Sequence, residues 1–415
     1  MENQNSEEPT RLGAGEATSC PPHQGRGRRL AGIGALISRV LLAIIFIGGL
    51  LFSLVPLGRA AARSASLFPA LITQSEPAPL VLAGDAVRHS ETTISSQDGT
   101  VYLDIYAPTT PPPPIPGSRA AVVIIPGVGD NRHVSELVSL LTAMARAGLV
   151  VVTLTTPTLI DFSIAPATTD AVVQTVLMLQ HYQGVNPRKV GIVGLSAGGT
   201  PAVLAAADPK IQKSLAFVTV FGSYYDARTM VRDVGRRAQK VDGHLEPWRP
   251  SAVPIRVLTN IIAGAFSNGD GAVLRSGINS RSGIALSASE VASLTPPAQA
   301  AYHLLAGDQP SRVSANLDLL PPQLQELLVS LSPSSVVGQI RTPVYLLHDR
   351  DDSLVPFTQS QEFAAKLAEL GQPYRYVELT IFRHTTVQSG LGIGPLLRDG
   401  AALYLVLTQM LNTAS

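Results

Sequence analysis

The segment V-G-I-V-G-L-S-A-G-G runs from Val190 to Gly199, is the most informative part of this chain for its fold, and carries Ser196 near its centre. The β-branched apolar run before Gly194 predicts a buried strand, and the small residues after Ser196 predict a helix. Ser196 is therefore expected on a sharp strand-to-helix turn, which exposes its hydroxyl above a sheet. On this turn the N–H of Ala197 points towards any oxyanion that forms beside the serine. Gly194 and Gly198 are required because side chains there would collide where the strand and the helix approach each other.

Strands and helices alternate on both sides of this turn in the 415-residue chain. Two alternating segments around Asp98 and Gly99 predict an antiparallel hairpin. Continuous β-branched runs such as Ala121 to Ile125 are typical of strands that are buried on both faces of a parallel sheet. The alternation stops between Ser223 and about Ile340, where the pattern predicts a helical insertion without strands, and it resumes towards the C-terminus. The whole pattern predicts an α/β domain with right-handed crossovers.

The N-terminal part is predicted to be a separate unit. Residues 1–29 are polar and rich in glycine, proline and charge, which predicts a disordered tail. Residues 30–58 form an apolar segment whose uncharged part, residues 40–57, is about 18 residues long, near the lower limit for spanning a bilayer. More arginines precede this part than follow it, so we expect a cytoplasmic N-terminus and a membrane-anchored body outside the cytoplasm. Two alternatives for the apolar segment are a cleaved signal peptide, which would lead to secretion, and a buried core helix. Residues 59–90 are predicted to be a linker.

The composition argues against two classes of function. The formal net charge is +1, and no basic run is interleaved with aromatic residues, so nucleic-acid binding is not expected. The single cysteine, Cys20, excludes an intramolecular disulfide and cysteine-based metal clusters. No metal or cofactor is expected. The remaining partners are a small-molecule substrate and, through the N-terminal segment, a membrane.

An acidic loop and a histidine follow the serine in chain order. The loop H-D-R-D-D-S-L-V-P, His348 to Pro356, comes after one predicted strand, and His384 comes after the last one. Sites of open α/β sheets lie at the carboxyl ends of the strands, where all three segments fall. His384 is the candidate general base, because no other of the eight histidines follows the acidic loop. Asp352 is the candidate acid that orients the histidine, and Asp351 is the alternative.

A glycine-rich loop supplies the candidate second oxyanion donor. The loop P-G-V-G-D-N-R, Pro126 to Arg132, follows the predicted strand that ends at Ile125. Its glycines allow the backbone to approach a substrate oxygen closely, so the N–H of Val128 would act beside that of Ala197. An ordinary strand-to-helix turn, with Asp130 or Asn131 as the helix cap, is the alternative interpretation.

At these motifs the chain resembles the alpha/beta-hydrolase family. The resemblance covers about Glu91 to Ser415, interrupted by the insertion. It departs from the family at Pro126-Gly127, where many members carry His-Gly. The matching segments are G-L-S-A-G-G at Gly194, P-G-V-G at Pro126, D-D-S-L-V-P at Asp351 and F-R-H at Phe382.

The resemblance implies a mostly parallel eight-stranded sheet with helices on both faces. It also implies a Ser196–His384–Asp352 triad and an oxyanion hole from Val128 and Ala197. The implied core comprises residues 91–222 and 341–415, and residues 223–340 form a cap between its two parts.

These observations favour a serine hydrolase that needs no metal, most simply a carboxylic-ester hydrolase with an acyl-enzyme intermediate. The apolar insertion suggests an apolar acyl or alcohol group in a covered pocket. A serine peptidase or an acyltransferase with the same triad is one alternative. A catalytically inert, membrane-anchored binding protein is another, since one fold hosts many functions.

Overall fold

The computed structural model describes residues 55–111, 119–388 and 390–414, together with Arg39 and Gly49. The chain divides into two units, Met1–Val55 and Pro56–Ser415, and nearly all described residues belong to the second unit. The predicted tail (1–29) and most of the predicted membrane segment (30–58) lie outside the described residues. Within the described part, no helix is both long and apolar enough to cross a bilayer.

Eight strands form one sheet in the order β1-β2-β4-β3-β5-β6-β7-β8. All neighbours in this sheet pair in parallel except β2, which runs antiparallel to β1 and β4. The predicted mostly parallel eight-stranded sheet is therefore confirmed. The strands are β1 (Val87–Ser96), β2 (Gly99–Pro108), β3 (Arg119–Ile125), β4 (Val150–Thr155), β5 (Val185–Leu195), β6 (Leu215–Phe221), β7 (Val344–Asp349) and β8 (Tyr374–Leu379).

The central strands form where the sequence is continuously apolar. Every residue of β3 and of β4 is buried, as expected of parallel strands that are covered on both faces. The hairpin of β1 and β2 closes at Gly99, whose φ of +86° suits a glycine. The predicted hairpin and the parallel strands are confirmed, with boundaries that differ by a few residues.

Helices cover both faces of the sheet. One face packs against α5, α6 and α14, and the other packs against α1, α3 and α15. The core helices are α1 (Pro56–Thr73), α2 (Ala78–Ala83), α3 (Ser135–Arg146), α4 (Pro157–Ile160), α5 (Pro166–Gln180), α6 (Gly199–Ala206), α14 (Thr358–Glu369) and α15 (Ile393–Thr413).

The structure differs from the predicted linker over residues 59–90. Helix α1 occupies the first part of this range, up to Thr73, and packs against α15, where the Tyr404 hydroxyl donates a hydrogen bond of 3.0 Å to the Ala61 carbonyl. Small residues of α1, among them Ala60 and Ser64, are buried. Their size lets two helices approach closely, so small residues here indicate helix packing rather than a flexible segment.

The insertion between β6 and β7 has its own apolar core. It contains two short hairpins as well as helices, so the prediction of an insertion without strands is wrong. One hairpin turns at Asp242 and Gly243, whose φ angles are both positive, and Asp-Gly is a usual sequence for such a turn. The helices are α7 (Ala227–Arg236), α8 (Ala252–Gly264), α9 (Asp270–Ser276), α10 (Ala288–Ser293), α11 (Pro296–Ala306), α12 (Val313–Asp318) and α13 (Pro322–Ser330), and the hairpins pair Ala238–Val241 with His244–Pro247 and Ile278–Asn279 with Gly283–Ile284.

Candidate active site

Ser196 lies on the sharp turn between β5 and α6 with a φ of +54°. A non-glycine residue in this region is strained, and such strain is common at functional sites. The turn is tight because of its glycines. A Cβ on Gly194 would lie 2.5 Å from the Gly198 carbonyl oxygen, and a Cβ on Gly198 would lie 2.3 Å from that of Ile125. The predicted collisions at both glycines are therefore present in the structure.

The structure brings Asp352 and His384 into direct contact. His384 Nδ1 and Asp352 Oδ2 are 2.6 Å apart, and both side chains are buried. The other carboxylate oxygen of Asp352 accepts hydrogen bonds from the N–H groups of Leu354 and Val355, at 2.7 and 3.1 Å. Asp352 is thus fixed by its own loop and holds the histidine ring from one side.

A second histidine contacts the same carboxylate. His348 Nε2 lies 3.4 Å from Asp352 Oδ2 and 3.0 Å from the Val355 carbonyl oxygen, and His348 Nδ1 lies 2.7 Å from Ser360 Oγ. Burial by itself raises the pKa of Asp352, but hydrogen bonds from His348 and His384 outweigh it and hold the pKa well below its usual range. Asp352 is therefore ionised at neutral pH. The sequence indicates only packing for His348, and nothing in the local pattern signals this contact.

The other two aspartates of the acidic loop, Asp349 and Asp351, make no hydrogen bond to His384. Asp349 is buried and accepts hydrogen bonds from the N–H groups of Asp351 and Phe382, both at 2.9 Å. Burial raises its pKa to about 6, against the opposing effect of these two hydrogen bonds. Asp349 thereby ties the acidic loop to the segment that carries His384. Asp351, the alternative acid, is exposed, and the structure does not bring it to the histidine.

Sheet register places Ser196 next to Gly222, on which the His384 ring packs. Leu195 pairs with Phe221 at the ends of β5 and β6, so Ser196 and Gly222 follow at neighbouring positions. A Cβ on Gly222 would lie 2.9 Å from Cε1 and Nδ1 of His384, which means that the imidazole packs directly on this glycine. His384 Nε2 is buried and has no hydrogen-bond partner among the described residues, Ser196 Oγ included. In free enzymes such catalytic hydrogen bonds are often long and shorten when substrate binds.

The glycine-rich loop lies against the serine. Gly127 has a φ of +102°, and a Cβ there would lie 3.3 Å from the Cβ of Ser196 and 3.7 Å from the backbone nitrogen of Ala197. Val128 and Ala197 border the same cavity as Ser196. Within the described residues, the N–H of Val128 makes no hydrogen bond, so it is free to bind an oxygen.

An ion-pair network that the sequence does not signal supports this loop. Arg132 Nη1 donates a hydrogen bond of 2.8 Å to Asp104 on β2, and its Nη2 donates another of 2.8 Å to Asp130. Asp104 is fully buried, and its second oxygen lies 2.7 Å from His89 Nε2. The proposed cap role of Asp130 or Asn131 is not observed, since α3 has Val134 as its N-cap residue without a side-chain cap.

His89, Glu91 and Asp104 place potential metal ligands within 4.8 Å of one another. Both oxygens of Asp104 already have partners, one in Arg132 and the other in His89. Because a guanidinium occupies one side of this carboxylate, the cluster is better described as support for the glycine-rich loop.

The cap contributes to the site in two ways. Trp248 Nε1 donates a hydrogen bond of 2.8 Å to the Asp352 carbonyl, which fixes the acidic loop from above. Cap side chains also form the roof of an apolar cavity of about 40 Å³ beside Ser196. Its apolar lining includes Met230, Val257, Leu258, Ile261, Leu354 and Val355.

Solved structures with a similar backbone are peptidases and esterases. A putative dipeptidyl aminopeptidase IV from Bacteroides ovatus is 11% identical, with a TM-score of 0.47, over 78% of this chain and 35% of that one. A puromycin-hydrolyzing peptidase of Mycobacterium tuberculosis is 16% identical, with a TM-score of 0.46, over 78% and 39%. A hyperthermophilic esterase from the archaeon Pyrobaculum calidifontis is 17% identical, with a TM-score of 0.42, over 80% and 86%.

This chain therefore spans well under half the length of the two peptidases. No family model matches it, and no curated protein matches it significantly. These neighbours have the alpha/beta-hydrolase fold. The eight-stranded sheet and the serine turn of the present structure agree with the fold that the sequence resemblance implies.

Proposed function

We propose that this protein is a serine hydrolase that cleaves carboxylic esters through an acyl-enzyme on Ser196. The observation that carries the proposal is the pairing of a strained serine turn with a buried Asp352–His384 contact at the adjacent strand end. A structural role alone requires neither the strain at the serine nor a buried imidazole nitrogen without a partner.

The arrangement supports a two-step mechanism. Asp352 accepts the Nδ1–H of His384, which leaves Nε2 free to take the proton of Ser196 as its oxygen attacks the acyl carbon. The N–H groups of Val128 and Ala197 stabilise the negative charge that develops on the substrate oxygen. The protonated histidine then gives its proton to the leaving alcohol, and water attacks the acyl-enzyme by the reverse sequence.

The cavity favours a short, apolar acyl group. Its walls are almost entirely aliphatic, and its volume of about 40 Å³ is small. A short acyl chain is buried there without leaving polar atoms unpaired, whereas a charged acyl chain would lose its hydration. This supports an ester of a short carboxylic acid as the substrate.

The test combines chemical labelling with a substrate screen. The protein is incubated with a fluorophosphonate, and the labelled residue is located by mass spectrometry. We expect labelling at Ser196. Ser196→Ala should abolish it and lower kcat for 4-nitrophenyl acetate by about 10⁴-fold or more.

Ser330→Ala is the matched control, because Ser330 is an exposed cap serine that does not border the serine cavity. An unlabelled but folded protein, or an unchanged kcat in Ser196→Ala, would contradict the proposal. Turnover of aminoacyl amides without turnover of esters would assign a serine peptidase instead.

A further inference from the structure

A wide cleft opens next to the serine cavity. It has a volume of about 800 Å³ and lies between the segment after β4 and the cap helices α8 and α9. Ile164 and Ile261 border both the cleft and the serine cavity. A substrate whose acyl group occupies the small cavity therefore extends its other part into the wide cleft.

Two arginines that have no acidic partner among the described residues line this cleft. Arg256 comes from α8 and Arg275 from α9. Neither guanidinium is hydrogen-bonded or ion-paired to a carboxylate in the described part of the chain. Other arginines around the site are paired, as Arg132 is with Asp104 and Asp130. The two cleft arginines therefore have donors available for a ligand.

Arg256 is held in a position that suits anion binding. Its guanidinium carbon lies 3.8 Å from the centre of the Phe162 ring. The guanidinium lies against the ring, and its N–H donors make no hydrogen bond among the described residues, so they are able to bind a carboxylate or a phosphate in a fork. Asn260 on the same helix donates hydrogen bonds to the carbonyls of Asp161 and Phe162, at 2.9 and 3.1 Å, so the ring and the arginine are fixed together.

The charge balance of the cleft is positive. Its lining holds the two arginines and a single acidic side chain, Asp161. One carboxylate offsets one guanidinium at most, which leaves about one unit of positive charge facing the cleft. An anion gains from this charge, and a cation would gain only near Asp161.

We propose that the substrate carries an anionic group, a carboxylate or a phosphate, that binds Arg256 and Arg275 while its ester lies at Ser196. This inference rests on the proposed function and adds a substrate class to it. The anion belongs to the alcohol part of the ester, because the acyl part occupies the apolar cavity.

The test compares matched acetate esters of substituted phenols. The set comprises 4-acetoxybenzoate, 4-acetoxyphenyl phosphate, the neutral methyl 4-acetoxybenzoate and the cationic 4-acetoxybenzylammonium. Each kcat/KM is divided by the rate of hydrolysis of that ester by hydroxide, which removes differences in intrinsic reactivity. We expect the anionic esters to exceed the neutral one by about tenfold, the size of one charge-assisted hydrogen bond.

Arg256→Gln and Arg275→Gln should each reduce the anionic-to-neutral ratio several-fold. Arg312→Gln is the matched control, because Arg312 is an exposed cap arginine that borders neither cavity, and it should leave the ratio unchanged. The comparison of the carboxylate with the phosphate shows which anion the pair prefers. The proposal would be overturned if the anionic-to-neutral ratio were the same in Arg256→Gln, Arg275→Gln and Arg312→Gln. A preference of the protein for the cationic ester would also overturn it.

Failure of this inference can be distinguished from failure of the proposed function. If the neutral ester is hydrolysed but the anionic esters are not preferred, the inference falls and the hydrolase assignment stands. If no ester is hydrolysed, calorimetric titration of Ser196→Ala with 4-acetoxybenzoate and its methyl ester decides the inference alone. Tighter binding of the anion supports it, and equal binding refutes it.

Discussion

A methyl group added at Gly222 should disable the candidate triad while leaving the protein folded. A Cβ at this position would lie 2.9 Å from Cε1 and Nδ1 of His384 and 3.2 Å from Asp352 Oδ2. Real Cβ atoms do not approach other heavy atoms so closely, so the imidazole must move. The ring is held at 2.6 Å by Asp352, and any shift disturbs both that contact and the position of Nε2.

The size of the effect follows from two separate costs. Gly222 has a φ of +63°, and an alanine in this region is strained by roughly 1–2 kcal/mol. That cost lowers the free energy of unfolding. The collision acts on activity instead, because displacement of a catalytic group by ~1 Å costs about 100-fold in rate. We therefore expect Gly222→Ala to reduce kcat/KM for 4-nitrophenyl acetate by about 100-fold.

Gly371→Ala separates the two costs. Gly371 has a φ of +65°, and no other heavy atom lies within 4 Å of its Cβ position. Both variants should lose similar stability in urea unfolding, since the backbone strain is matched. Only Gly222→Ala should lose esterase activity and fluorophosphonate labelling. Equal activity in the two variants would refute the placement of the imidazole on Gly222 and the role assigned to His384.

Two further predictions concern buried carboxylates. Asp352→Asn should lower kcat by about 10³–10⁴-fold in the same esterase assay. Asp351→Asn, at the neighbouring exposed position, should change kcat little. Equal effects of the two substitutions would contradict the choice of Asp352 as the acid. Burial raises the pKa of Asp233 to about 7, against the opposing effects of Arg232 and Gln359, so the folded protein should lose stability as the pH rises from about 4 through 7. Asp233→Asn should remove that loss, which is about 3 kcal/mol between pH 5 and pH 8 because that interval covers some two of the three pKa units. Urea unfolding at pH 5 and pH 8 measures it, and an unchanged pH dependence would contradict the assignment.

The sequence was sufficient for the elements that depend on local pattern. The β-branched runs gave the parallel strands, and Gly-x-Ser-x-Gly gave the turn at Ser196, because strand burial and glycine geometry are encoded within a few residues. Chain order was enough to place Asp352 and His384 at the same sheet edge. The prediction failed for α1, most of which falls within the predicted linker of residues 59–90 although it packs against α15.

The supporting contacts were beyond sequence reasoning because their partners lie far apart in the chain. Asp104 on β2 pairs with Arg132 across 28 positions, and the Trp248 indole reaches the Asp352 carbonyl across 104. Each of these residues has an ordinary local environment in the sequence. Their partners are determined by how the sheet and the cap pack, and the pattern of single elements carries no information on that.

The amino-acid sequence alone was enough for the alternating strands and helices of the core, the serine turn and the identity of a candidate nucleophile, base and acid. These depend on hydrophobic period and backbone sterics, which act over short distances along the chain. The packed domain was needed to show that His384 packs on Gly222 and that His348 contacts the same carboxylate. It was also needed to show that two arginines without a carboxylate partner among the described residues line a cleft beside the serine. Such contacts depend on how the whole domain buries its side chains, so they form only once the core has packed.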